Sequence, residues 1–112
     1  MDDPTRSLLA AWQRFDGPLH LRAGFDRAAF DALADALQRC AAAWAERDAI
    51  PRAAVNVLVD VFAATEANAH CYQGAEAEQV QEAAYLLHEL VAGCVELRPT
   101  GGVSGSSPGR GR

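Results

Sequence analysis

The sequence predicts an all-α protein that folds as a compact four-helix bundle. Apolar residues recur at three- and four-residue steps over several long segments, which is the period of an amphipathic helix. Alanine, the best helix former, occurs 24 times. Pro and Gly separate the periodic segments and mark where helices stop. The predicted helices cover residues 4–15, 26–47, 51–70 and 75–97.

The first predicted helix, 4–15, starts where an acidic residue precedes a proline. Asp3 can cap a helix, and Pro4 suits the first helical turn. Leu8, Trp12 and Phe15 share one face, and the sequence Asp-Gly-Pro that follows predicts the end of the helix. We expect this short helix to pack across the three longer ones.

The second predicted helix, 26–47, has a cap and a hydrophobic staple. Asp26 is placed to cap it, and Phe25 is placed to pack against Phe30. Its apolar face is predicted to lie in the core and consists of Phe30, Leu33, Leu37, Cys40, Ala41 and Trp44.

The third predicted helix, 51–70, is apolar on most of its circumference. Its Val content would also suit a strand, but its length and flanking alanines favour a helix. One face carries Val55, Leu58, Val59 and Phe62. Val57 and Val61 lie nearly opposite, so the helix is predicted either to be central or to use these two valines in an oligomer interface.

The fourth predicted helix, 75–97, combines an apolar seam with an acidic stripe. The seam consists of Val80, Ala83, Leu87, Leu90, Cys94 and Leu97. The stripe consists of Glu78, Glu82, Glu89 and Glu96, with Tyr85 beside it. Such a stripe is usually a solvated outer face, and the functional alternative is a landing surface for a basic partner.

The connection 16–25 is long for a helical bundle and carries both apolar and basic residues. Leu19, Leu21 and Phe25 are expected to plug one end of the bundle. In the alternative interpretation, His20 and Arg22 face outward between buried leucines and offer cations to an anion or to a partner carboxylate.

Charge and composition limit the partners and the location. The 112 residues carry a formal charge of −5, and no predicted helix has the basic stripe that nucleic-acid binding needs. No apolar run reaches the roughly 18–20 residues that cross a membrane, and the N-terminus lacks a basic signal start. Ten Arg without any Lys suggests a bacterial, GC-rich genome. We therefore expect a cytoplasmic bacterial protein with one domain, 1–97, and a disordered Gly/Ser/Pro/Arg tail, 98–112.

Residues that could carry chemistry are few. No catalytic motif is present, so the sequence predicts no enzyme, no cofactor and no metal site. An odd number of cysteines without close spacing predicts free thiols. Cys40 and Cys94 occupy core positions, which leaves Cys71, in the turn before the fourth helix, as the candidate reactive thiol.

Two functions remain open from the sequence. The first is a non-catalytic protein–protein interaction, either self-association as a homodimer or a role as inhibitor, adaptor or subunit. Its candidate residues are Val57, Val61, the acidic stripe, His20 and Arg22. The alternative is a bundle that binds a small molecule or a metal near Glu66, His70 and His88, where a shielded Glu–His pair could form. The candidate pocket consists of Trp12, Trp44, Phe62, Glu66, His70, Tyr85 and His88.

Overall fold

The computed structural model describes residues 2–97, and in that range it confirms an all-α bundle of four helices. The helices are α1 (Asp3–His20), α2 (Arg27–Trp44), α3 (Arg52–Ala69) and α4 (Gly74–Val95). The predicted tail 98–112 lies outside the described residues. Within residues 2–97, no helix combines the length and the apolar character needed to cross a membrane.

Side-chain caps start the first two helices. The Asp2 carboxylate accepts the backbone N–H of Thr5 at 2.8 Å, so the cap lies one residue before the predicted Asp3. Hydrogen bonding with Thr5, through its side chain and its backbone N–H, lowers the pKa of Asp2, because it favours the charged form. Asp26 caps α2 as predicted and accepts the N–H of Ala29 at 3.2 Å.

The end of α1 differs from the prediction. The helix continues through Gly17 and Pro18 to His20 instead of stopping at residue 15. Pro18 is exposed, whereas Leu19 is fully buried. Continuing the helix places Leu19 in the core, and its burial outweighs the local cost of Gly and Pro.

The connection after α1 is closed by an aromatic cluster. The rings of Phe25 and Phe30 lie 5.9 Å apart, as the staple predicted, and each lies 6.1 Å from the ring of Phe15. The Arg27 guanidinium covers the Phe30 ring at 5.5 Å. The expectation that all three apolar residues of the connection plug the bundle is wrong for Leu21, which is 78% exposed.

The four helices form a square in cross-section. α1 packs against α2 and α3, and α4 packs against the same two helices. In the described residues, α1 does not pack against α4, nor α2 against α3. The helix α1 is as long as α2 and α3 and buries Leu8, Phe15 and Leu19. It is therefore a full member of the bundle and does not merely cross the other three.

The core contains the apolar faces predicted for α2 and α4. On α2 every predicted face residue is buried except Ala41, which is half-buried. On α4 the predicted seam is at least half-buried as far as Cys94, and Leu97 is exposed. The Cys94 thiol donates to the Leu37 carbonyl at 3.2 Å, which links α4 to α2.

Two polar side chains connect the two interhelical turns at one end of the bundle. The Tyr72 hydroxyl donates to the Leu19 carbonyl at 2.8 Å and accepts the N–H of Gly24 at 3.2 Å. The Glu76 carboxylate accepts the N–H of Phe25 at 3.1 Å. These bonds fix the end of α1 against the turn that precedes α4.

Candidate protein interaction surface

An apolar surface remains uncovered on the outer side of α3 and α4. Val55 and Val59 of α3 are 39% and 68% exposed, and Val95 of α4 is 51% exposed. Together with Phe62 and Val91 they line a groove of about 400 Å³ between the two helices. We call this surface the α3–α4 face. Clustered apolar side chains of this kind are typical of protein interaction sites.

Aromatic contacts fix the position of α3 relative to α4 in this face. The Phe62 ring lies 5.5 Å from the ring of Tyr85 and 5.2 Å from that of His88. Phe62 is half-buried, and both of its partners are exposed. The level of Phe62 along the bundle therefore falls between Tyr85 and His88.

Charged residues lie at both ends of the α3 part of the face. Arg52 starts α3 and is exposed. Glu66 lies near the end of the helix, with its carboxylate 3.8 Å from Nε2 of His70. The predicted Glu–His pair is thus present, but the His70 side chain is 71% exposed and the Glu66 side chain 34% exposed, so the pair is not shielded from water.

Of the two alternatives predicted for Val57 and Val61, the core position is the one observed, and an oligomer interface through them is wrong. They are 7% and 0% exposed, and they lie in the protein's own core with Ala54 and Leu58. Because α3 packs against both α1 and α4, the side that faces these two helices is buried. The exposed apolar side is the one that carries Val55 and Val59.

The predicted ligand pocket is not assembled as one site. Phe62, Tyr85 and His88 come together, but Trp12 of α1 packs against Phe15, with ring centroids 6.5 Å apart. Trp44 is buried at the end of α2. In residues 2–97, no ring contact joins either tryptophan to Phe62, Tyr85 or His88.

His20 and Arg22 line a separate cleft near the ends of α1 and α3. Both are exposed, and the cleft of about 480 Å³ also contains Asp16, Asn68 and Cys71. Asn68 donates its side-chain N–H to Asp16 at 3.3 Å. Burial of the Asp16 carboxyl raises its pKa, against the opposing effects of His20 and Asn68. The cleft combines both signs of charge and an exposed thiol.

The acidic stripe of α4 is exposed along its length, at Glu78, Glu82, Glu89 and Glu96. It lies on the side of α4 away from the buried Val80, Ala83 and Leu87. This is the position of a solvated outer face, and its use as a landing surface stays a prediction.

The thiols divide as predicted. Cys40 and Cys94 are buried, and burial raises the pKa of each to about 11. Cys71 is exposed. Within residues 2–97, no three His, Cys, Asp or Glu side chains are placed to hold a metal ion together.

The sequence prediction missed Val59 and Val95 as surface residues. Arg52, Val55, Val59, Phe62 and Glu66 follow one another at alternating steps of three and four, so a stripe with charged ends was visible in the sequence. Which stripe of α3 faces the core depends on how the helices pack, and that was not visible.

Comparison with family models, curated proteins and solved structures finds no match to this chain.

Proposed function

We propose that this protein acts without catalysis, by associating with a second copy of itself through the α3–α4 face. The observation that carries the proposal is the exposure of Val55, Val59 and Val95 along one groove. Apolar surface in water is unfavourable, and covering it contributes roughly 25 cal/mol per Å². Association is the means by which this face is removed from water.

A second copy is a suitable occupant because of the way the bundle is built. On their inner side, α3 and α4 already pack against the layer formed by α1 and α2. Two α3–α4 faces stacked on each other repeat the packing of one helix pair on another. A two-fold interface also uses each apolar residue twice, so a small set of side chains suffices.

The residues proposed to mediate association replace those expected from the sequence. Val59 and Val55 take the role assigned to Val57 and Val61. The acidic stripe lies outside the face, and Arg22 lies in the separate cleft. The proposal therefore gives neither of them a role in self-association.

The test is the solution mass of the full chain, measured by light scattering over a range of concentrations. We expect a dimer for the wild type and a folded monomer for Val59→Asp, because the new carboxylate would be buried in the interface. The matched control is Leu86→Asp, since Leu86 is 50% exposed on α4 but lies beside Phe30, outside the face. This control is expected to stay a dimer.

Val57→Asp provides a contrasting variant on the same helix. Because Val57 is in the core, the change is expected to cost about 4 kcal/mol or more and to unfold the protein. Circular dichroism distinguishes this outcome from the folded Val59→Asp monomer. A wild type that stays monomeric at about 100 μM contradicts the proposal, since a specific interface of standard size binds more tightly than this.

A further inference from the structure

In the α3 part of the face, the charged residues are placed symmetrically about Val59. Val55 and Phe62 flank it, and Arg52 and Glu66 each lie seven residues from it. Reversing the helix about Val59 therefore exchanges Arg52 with Glu66. A reversed copy of α3 thus presents a carboxylate where the first copy presents a guanidinium.

The α4 part of the face has a matching symmetry. Tyr85, His88, Ala92 and Val95 follow at steps of three and four, and all four are exposed. Reversing α4 about the midpoint of this stripe exchanges Tyr85 with Val95 and His88 with Ala92. The larger side chain of each pair then lies against a smaller one, which suits close packing.

The two centres of symmetry lie at the same level of the bundle. Phe62 contacts Tyr85 and His88, so its level falls between them. Val59 lies three residues before Phe62, and α4 runs antiparallel to α3, so the level of Val59 is about three residues further along α4. That point lies between His88 and Ala92. One axis can therefore serve both helices.

We propose that two copies pack with α3 against α3 and α4 against α4, each pair antiparallel, about a two-fold axis that passes beside Val59. This proposal rests on the self-association proposed above and adds its orientation. Arg52 of each copy then lies opposite Glu66 of the second copy, which gives two ion pairs of the same kind.

The other two-fold arrangement, with α3 against α4, is less favourable in charge. There Arg52 approaches the end of α4 near Glu96, but Glu66 approaches the level of Glu82. The helix α4 contains no Arg or Lys, so Glu66 would have no cation from the second copy. The α3-on-α3 arrangement pairs both charged ends of α3.

Disulfide trapping tests this orientation directly. In a Cys71→Ser background, Val59→Cys places two thiols at the axis, and we expect mild oxidation with diamide to convert most of the protein to a covalent dimer. Val55→Cys is the matched control on the same stripe. In the dimer, the two residues at position 55 lie about 12 Å apart along the axis of the helices. Cross-linking of Val55→Cys is therefore expected to be about tenfold slower or more.

Charge exchange supplies an independent test of the same register. Arg52→Glu and Glu66→Arg are each expected to weaken the dimer about tenfold, since each places like charges opposite one another twice. The double variant restores the pairing and is expected to recover the wild-type Kd. Arg14→Glu makes the same change in net charge as Arg52→Glu, but outside the face, and is expected to leave the Kd unchanged.

The outcomes separate the two proposals. A monomeric wild type overturns self-association and the orientation with it. A dimer that Val59→Asp dissociates, but in which Val59→Cys does not cross-link faster than Val55→Cys, overturns the orientation alone. A double charge variant that dimerises no better than the single ones also overturns it.

Discussion

Replacing Arg22 separates backbone strain from charge at the end of α1. Arg22 has φ of 61°, in the left-handed region that favours glycine. Its N–H donates to the Leu19 carbonyl at 3.1 Å, and the N–H of Ala23 donates to the Pro18 carbonyl at 2.8 Å. This is the hydrogen-bond pattern of a Schellman motif, in which the residue at the Arg22 position is usually Gly.

The magnitude follows from two opposing effects. A residue with a Cβ pays roughly 1–2 kcal/mol in the left-handed region, and Gly avoids this cost. Gly also gains backbone freedom in the unfolded chain, which returns about 0.4–1 kcal/mol of the benefit. We therefore expect Arg22→Gly to be about 1 kcal/mol more stable than Arg22→Ala, or about 4–8 °C in Tm for a domain of this size.

Comparison with Arg22→Ala is necessary because that variant keeps the strain and removes the guanidinium. Urea unfolding followed by circular dichroism measures the free energy of both variants and of the wild type. Equal stability of the Gly and Ala variants would refute the argument, since it would mean that residue 22 is not strained in solution. The difference between Arg22→Ala and the wild type then reports what the exposed guanidinium contributes to stability.

Two further predictions concern thiols and pH. Titration of the folded protein with Ellman's reagent should show fast reaction of Cys71 alone. Cys40 and Cys94 should react only after unfolding, because burial raises their pKa to about 11. Fast reaction of all three thiols would contradict a closed core. Burial raises the pKa of the Asp16 carboxyl above its ordinary 3.8, so the folded protein binds the carboxyl proton more tightly than the unfolded chain does. The stability that this proton contributes is present at low pH and is lost as the pH rises through the raised pKa. Asp16→Asn should therefore gain stability relative to the wild type between about pH 3 and about pH 6, and a constant difference across that range would contradict this.

Features fixed by neighbouring residues could be predicted from the sequence. The cap at Asp26, the Phe25–Phe30 staple and the core face of α2 each depend on residues within one or two turns. The end of α1 could not be predicted in the same way. Gly17 and Pro18 are a local stop signal, but the burial of Leu19 depends on the packing of the whole bundle, and this tertiary contribution decides the outcome.

The candidate ligand pocket failed for a related reason. Trp12, Trp44 and Tyr85 belong to three helices, and helical periodicity places each on a face without saying which helices are neighbours. The square arrangement puts α1 diagonally opposite α4 and α2 diagonally opposite α3. This separates Trp12 from Tyr85, and Trp44 from Phe62. Trp44 also lies at the C-terminal end of α2, whereas Trp12 packs against Phe15 of α1. Of the predicted aromatic pocket residues in the described part of the chain, Phe62 meets Tyr85 and His88.

The helix α3 shows how a pattern can identify a property of a helix and still mislead about its residues. A helix with only a narrow polar strip presents an apolar side to water whichever side the core takes. Here α1 and α4 cover Val57 and Val61, so Val55 and Val59 are the ones left outside. The bundle has no fifth helix in residues 2–97 to cover them, and the charged ends of their stripe complement a reversed copy of the same stripe. The sequence argument for an interface on α3 therefore leads, once the core is known, to the opposite side of that helix.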